Sequence, residues 1–150
     1  LARQVYAIDF SPEMMAKARE HVQADHVTFC VADLMQKWSI EDQSIDLVVC
    51  NLVLEHIEDL GFIFAEVARV LAEEGQFFVS ELHPFQQYQG KQANFQREDE
   101  MTKVPAFTHH ISDFLNAANV NEMRLLKLNE WWHESDQGKP PRLVTFLFEK

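Results

Sequence analysis

Glycine is the residue this sequence is most short of: four stand in 150 positions, Gly61, Gly75, Gly90 and Gly138, each isolated. Average usage is roughly 7%. No glycine-rich phosphate or nucleotide loop can be assembled from these four. Long apolar runs are missing as well. The longest, residues 45–54, already contains Asp46 and Asn51, and a membrane helix needs roughly 18 apolar residues, so no membrane association is expected. Residues 1–9 lack a basic start followed by an apolar core, so no signal peptide is read there. The two cysteines, Cys30 and Cys50, lie inside apolar strand-like runs. They read as buried free thiols in a reducing, cytoplasmic setting, with no disulfide framework and no zinc site. Thirteen Lys and Arg face 24 Asp and Glu, for a net charge of −11. The basic residues nowhere cluster, so direct binding of nucleic acid is not expected.

What is present suits one soluble domain, with 47% apolar and 25% charged residues at a domain-like length. Residues 4–9 (QVYAID) form a first strand. Ser11-Pro12-Glu13 then starts a helix, with Ser as N-cap and Pro at the first helical position. Residues 27–32 (VTFCVA) and 45–50 (IDLVVC) read as strands covered on both faces, being nearly continuous in apolar character. Residues 60–72 carry a helical stripe of Leu60, Ile63, Phe64, Val67, Val70 and Leu71. Glu73-Glu74-Gly75 follows as a turn with a C-cap-type glycine, and residues 76–82 (QFFVSEL) form the fourth strand. Strand, helix and strand at this spacing mean βαβ units and a parallel sheet.

Residues 83–106 break that pattern. The segment is polar, holds Pro84 and Pro105 and carries the mixed charges of residues 97–100, which suits a lid or binding loop. A short helix over 111–118 packs Phe114 and Leu115. Two final strands, 122–132 and 142–149, are joined without helical pattern and read as an antiparallel pair. In that pair Trp131 and Trp132 alternate faces, one ring in the core and one partly exposed.

In an open parallel α/β sheet the ligand lies outside the carboxyl ends of the strands. Asp9 ends the first strand, where a carboxylate can accept both hydroxyls of a ribose; a solvated or helix-capping acid is the other reading. Asp33 ends the second, where it could accept from an exocyclic amine beside the apolar wall of Leu34; taken alone, an acid without a binding role is the plainer reading. Asn51 ends the third, and His56, which follows in LVLEHIE, is a candidate proton acceptor; a packed or surface histidine is the plainer alternative. His83, His109 and His110 share no ligand spacing on one element, so no metal is expected.

Taken together, VYAIDFSPEMMAKARE (5–20), VADL (31–34), SIDLVVCNLVLEHIEDL (44–60), EVARVLAEEGQFFVSELHP (66–84) and HHISDFLNAANV (109–120) resemble the class I S-adenosylmethionine-dependent methyltransferases, in the branch rich in small-molecule enzymes. The resemblance implies an α/β fold, a Rossmann-like, mostly parallel sheet with an antiparallel C-terminal hairpin. It implies S-adenosylmethionine as cofactor and a small-molecule acceptor, and leaves a homodimer open. By it, Asp9 would hold the ribose hydroxyls with Phe10 beside the adenine, and Ala32, Asp33 and Leu34 would frame the adenine. Asn51, Leu52 and Val53 would line the methionine side. His56 would be the base where the acceptor must lose a proton. His83, Phe85, Tyr88, His109 and His110 would face the substrate, with 83–106 as a substrate-side insertion.

The family's first strand and glycine-rich loop have no counterpart in these residues. The expectation is a single, N-terminally incomplete methyltransferase domain over 1–150, the later part of a longer protein or one completed by another chain. Two rivals stand beside the enzyme: an inactive methyltransferase-like binding or regulatory module, and a nucleotide-dependent Rossmann oxidoreductase. The oxidoreductase would not account for the match over 44–60.

Overall fold

The computed structural model describes residues 2–90, 94–97, 100–103, 106–136 and 138–150. They fall into two compact units, Leu1–Ser39 and Ile40–Lys150.

In the first unit, Val5–Asp9 (β1) and Val27–Val31 (β2) pair in parallel, with Asp9 opposite Val31. Between them runs Pro12–His21 (α1). Its start is the one the sequence implies. The Ser11 hydroxyl accepts from the Met14 N–H at 3.2 Å, satisfying an amide that has no partner inside the helix. Val22 closes it by donating its N–H to the Ala18 carbonyl at 2.9 Å.

The second unit is built on a mixed sheet whose strands lie in the order Ile45–Asn51 (β3), Leu71–Leu82 (β4), Leu143–Glu149 (β8) and Arg124–Trp131 (β7). β3 runs parallel to β4. β8 is antiparallel both to β4 and to β7, as the expected terminal hairpin requires. Leu60–Val70 (α2) starts at Asp59, whose side chain accepts from the Phe62 N–H. Ile111–Val120 (α4) is two residues longer than its pattern suggested. The helical stripe does what its spacing promises: Ile63, Phe64, Val67 and Val70 are fully buried. Phe64 meets Phe77 of β4 and Phe148 of β8 edge-on, at 5.2 and 5.6 Å between ring centres. Phe146 stacks between Phe148 and Phe114 of α4. These rings form the core, on the sheet face that the helices cover.

Several expectations need correction. Residues 73–75 do not end α2 as a glycine-capped turn; they lie inside β4, which begins at Leu71. Glu74 takes the left-handed conformation there, at φ 60. A Cβ on Gly75 would come within 2.8 Å of the Ala72 carbonyl oxygen, so a close backbone approach demands that glycine. β3 is not covered on both faces among the described residues, since Leu47 and Val49 are 52% and 57% exposed. Cys50 is buried, but Cys30 only half so. Trp131 and Trp132 are each half exposed: Trp131 ends β7, the edge strand of its sheet, and Trp132 lies just beyond it with its indole N–H on the Lys139 carbonyl.

The 83–106 segment holds more structure than a loop: a short helix, Pro84–Tyr88 (α3), and an antiparallel pair, Asn94–Arg97 (β5) with Glu100–Lys103 (β6). Pro105 and residues 98 and 99, read as loop from the sequence, lie outside the described residues. Among the described residues no helix is long and apolar enough to cross a membrane.

Candidate functional site

In the first unit, parallel pairing brings two strand ends to one edge. Asp9 closes β1, and the Ala32 N–H just beyond β2 donates to the Asp9 carbonyl at 3.1 Å. The polar residues at both ends therefore share one rim. Asp9 Oδ1 accepts from the Ser11 N–H at 2.7 Å, which fixes the carboxylate against the start of α1. Asp33 Oδ1 is fixed in the same way by the Met35 N–H at 2.9 Å. For both acids the second oxygen carries no hydrogen bond among the described residues. Each is thus oriented by the backbone while keeping an acceptor available. Phe10, 75% exposed, stands next to Asp9. Leu34 is half-buried, and its carbonyl accepts from the Trp38 indole N–H at 3.0 Å. Two acids, an exposed ring and an apolar wall at one rim suit a nucleoside: hydroxyls and an amine for the acids, a flat base for the ring.

In the second unit, the chain leaves β3 at Asn51 and turns sharply. Leu52 adopts φ 53, a left-handed conformation uncommon for a branched side chain. Its N–H donates to the Ser80 carbonyl at 2.9 Å. The Val53 and Leu54 N–H groups both donate to Glu81 Oε1, at 3.0 Å each. A single 3-10 turn, Leu54–His56, follows. His56 lies at its end, with Nε2 4.0 Å from Glu55 Oε1 and the side chain about a quarter exposed. From the other side the Phe107 N–H donates to the Glu55 carbonyl. His109 Nε2 donates to the Ile57 carbonyl, both bonds being 2.7 Å long.

Glu81, at the end of β4, was not singled out by sequence reasoning. It is buried, and that burial pushes its carboxyl above the usual range. The Leu54 and Val53 N–H groups pull the other way, and the charge of Glu55 pushes it up again. Glu81 Oε2 and Glu55 Oε2 are both buried, and neither has a hydrogen-bond partner among the described residues. The one signal in the sequence was an acid closing the apolar run QFFVSEL.

The proposed substrate-side residues divide. His83 is buried and caps α3: its Nδ1 accepts from the Phe85 N–H at 3.1 Å and its Nε2 donates to Glu130 Oε1 at 3.0 Å. Both ring nitrogens are thereby committed. His109 is likewise tied to Ile57, with its ring edge-on to Phe114. Tyr88 and His110 are exposed and joined, hydroxyl to Nδ1, at 2.5 Å. The Asp113 side chain holds the His110 N–H at 2.8 Å at the start of α4. Phe85 is 42% exposed. Among the described residues no three His, Cys, Asp or Glu side chains are grouped so as to hold a metal ion.

Comparison with known proteins puts this arrangement in a context. A family model described as a methyltransferase domain matches residues 1–79. The ubiquinone biosynthesis O-methyltransferase of Xanthomonas oryzae pv. oryzae is 34% identical over 125 residues, covering 80% of this chain and 51% of that protein. The chain therefore spans about half the length of the curated relatives it matches. Among solved structures, an S-adenosylmethionine dependent methyltransferase from Mesorhizobium loti matches with a TM-score of 0.82 at 20% identity, over 99% of this chain and 81% of that one. Another, from Clostridium acetobutylicum, matches at 0.76 and 16% identity, over 97% of this chain and 74% of that one. At these identities the structural likeness speaks for the fold.

Proposed function

The chain belongs to the methyltransferase domain family, and from that premise we propose that the protein carrying it transfers a methyl group from S-adenosylmethionine to a small-molecule acceptor. The observation that carries this reading is the shared rim of Asp9 and Asp33 at neighbouring strand ends, with Phe10 alongside. Asp9 would accept from the ribose hydroxyls, Asp33 from the adenine amine, and Ala32 and Leu34 would frame the base. Asn51, Leu52 and Val53 would line the methionine side. The donor set fits, since both acids are oriented and both retain an acceptor oxygen.

When bound, the cofactor supplies a methyl carbon activated by a sulfonium. The chain's own task is to orient the acceptor against that carbon and keep water away. An oxygen acceptor is the preferred class, supported by the name of the curated relative. Such an acceptor must lose a proton, and His56, steadied on the 3-10 turn beside Glu55, would take it. Residues 83–106 would form the substrate side of a single domain over 1–150. Phe85 and Tyr88 from that segment and His110 after it would face the acceptor, whereas His83 and His109 would shape that side through their structural bonds. The setting proposed is cytoplasmic, without nucleic acid as partner. A homodimer is an assembly that sedimentation of the whole protein would decide.

Calorimetry tests the assignment. The full-length protein should bind S-adenosylmethionine or its demethylated product in the micromolar range. Asp9→Ala should weaken that binding at least about tenfold, since hydrogen bonds to a charged group contribute about 1.5–3 kcal/mol. An absence of heat, or an unchanged affinity in Asp9→Ala, would overturn it. Labelled cofactor with small hydroxyl-bearing and amine-bearing acceptors then separates oxygen from nitrogen transfer.

A further inference from the structure

The turn after β3 is held in a conformation its own sequence does not favour. Leu52 sits at φ 53, and such a residue persists only where its surroundings over-determine it. Two of the restraints are backbone bonds, Leu52 to Ser80 and Phe107 to Glu55, and a third runs from the His109 ring to the Ile57 carbonyl. Glu81 differs from these. It is a side chain from another strand, 2% exposed, and a single oxygen of its carboxyl group receives two successive N–H groups, Val53 and Leu54. Those are the amides at the start of the 3-10 turn, which have no partner within it. The register that aligns Asn51 with Ser80 puts Glu81 one residue beyond the end of β3, opposite the turn.

We propose that Glu81 is the positioning residue of this site: by clamping the Val53 and Leu54 amides it fixes the backbone of residues 51–53 and the placement of His56. The proposal rests on the methyltransferase reading of those residues. Glu81 touches neither cofactor nor acceptor and acts through the turn alone. Its working requirement is an acceptor oxygen at the reach of a glutamate side chain. A negative charge is not required, because Oε1 alone accepts both amides, while Oε2, like Oε2 of Glu55, is buried without a hydrogen-bond partner among the described residues. A glutamine meets the requirement and brings N–H donors to that unpartnered side. An aspartate keeps the carboxyl group but withdraws it by one methylene. A leucine keeps the bulk and removes the acceptor.

The test uses the full-length protein and four variants: Glu81→Gln, Glu81→Asp, Glu81→Leu and, as a control, Asp9→Ala. Each is read by cofactor dissociation constant, by kcat and KM for an accepted substrate, and by melting temperature. Glu81→Gln should stay within about threefold of the parent. Glu81→Asp and Glu81→Leu should weaken cofactor binding about tenfold and lower kcat, in step with the loss of one or two hydrogen bonds. If Glu81→Leu does not fold, Glu81→Asp carries the test, because it retains the carboxyl group and most of the volume. A lowered melting temperature with unchanged binding and turnover in Glu81→Asp would make Glu81 merely structural and overturn the proposal. So would a glutamine variant as damaged as the aspartate. Should Asp9→Ala also bind cofactor like the parent, the methyltransferase reading of the rim fails. If only Asp9→Ala loses binding, that reading stands and the Glu81 proposal falls.

Discussion

Of the apolar residues buried in the described structure, only Met15 and Trp38 belong to Leu1–Ser39; all the others belong to Ile40–Lys150. The first unit is a two-stranded parallel pair with one helix. It carries the acids proposed for the nucleoside, Asp9 and Asp33. The second is a four-stranded sheet over a set of interlocked phenylalanines, and it carries the strained turn and His56. Two strands with one helix bury little, and an isolated pair of strands is marginal in water. The difference teaches that the two acids proposed for the nucleoside and most of the buried core are placed on different stretches of chain, so mutations should separate them.

The largest expected effect breaks the second unit. Phe146 is fully buried, stacked 5.7 Å from Phe148 and 4.9 Å from Phe114. Phe146→Ala should destabilise this unit by about 3–5 kcal/mol, the cost of removing a packed ring and leaving a cavity. Asp9→Ala should hardly move the same transition while it weakens cofactor binding. Denaturant titration of both variants checks the contrast. Equal losses of stability in the two would abolish the distinction between the units.

Legibility in the sequence follows the same divide between local and distant causes. The Ser11-Pro12 start of α1 and the α2 stripe were readable because caps and helical periodicity involve neighbours a few positions away. The strand ends that bring Asp9 and Asp33 to one rim were readable as well, since each short apolar run stops there. Residues 71–75 were misread because Glu-Glu-Gly has turn chemistry, and only pairing with Ile45 at long range makes them strand. The tryptophans were misread because their burial depends on β7 being an edge strand, a fact of sheet order. Glu81 was missed because its meaning lies in amides 27 and 28 residues earlier in the chain. The substrate-side histidines were half legible: the sequence brought them to notice, but the partners that commit His83 to Glu130 and His109 to Ile57 are tertiary.

A smaller effect sharpens the description of the second unit, through two carboxylates with opposite signs. Arg142 and Lys139 hold the Asp136 carboxyl far below the usual range, chiefly through the Arg142 hydrogen bonds. That stabilisation is present above the ordinary carboxylate value near 3.8 and lost as pH falls toward the depressed one. Glu81 is pushed the other way. It faces Glu55 from the 3-10 turn and Cys50 from β3, while its register partner on β8 is the apolar Val144. Its contribution is fully present below the ordinary 4.5 and is lost as pH rises through the raised value. Asp136→Asn should therefore flatten the acid side of the stability profile, and Glu81→Gln the side above pH 4.5. A parent profile unchanged by either substitution would contradict both assignments.

The gentlest probe uses the one cysteine that each unit happens to hold. Cys30, on β2, is half-buried. Cys50, on β3, is buried, and that burial, with the charge of Glu81 beside it, pushes its thiol up to about 12 from 9.0. Alkylation requires the thiolate, and a shift of that size lowers the thiolate fraction at neutral pH about a thousandfold before access is counted. Native protein treated with a thiol reagent near neutral pH should be modified first at Cys30, with Cys50 following only as the second unit opens. Peptide mapping over time reads both rates in one sample. In Phe146→Ala the Cys50 rate should rise steeply while the Cys30 rate stays nearly constant, because the lost ring supports only the sheet that buries Cys50. Equal acceleration at both thiols would mean that the two stretches open together, and the separation of the proposed nucleoside acids from the buried core would fail.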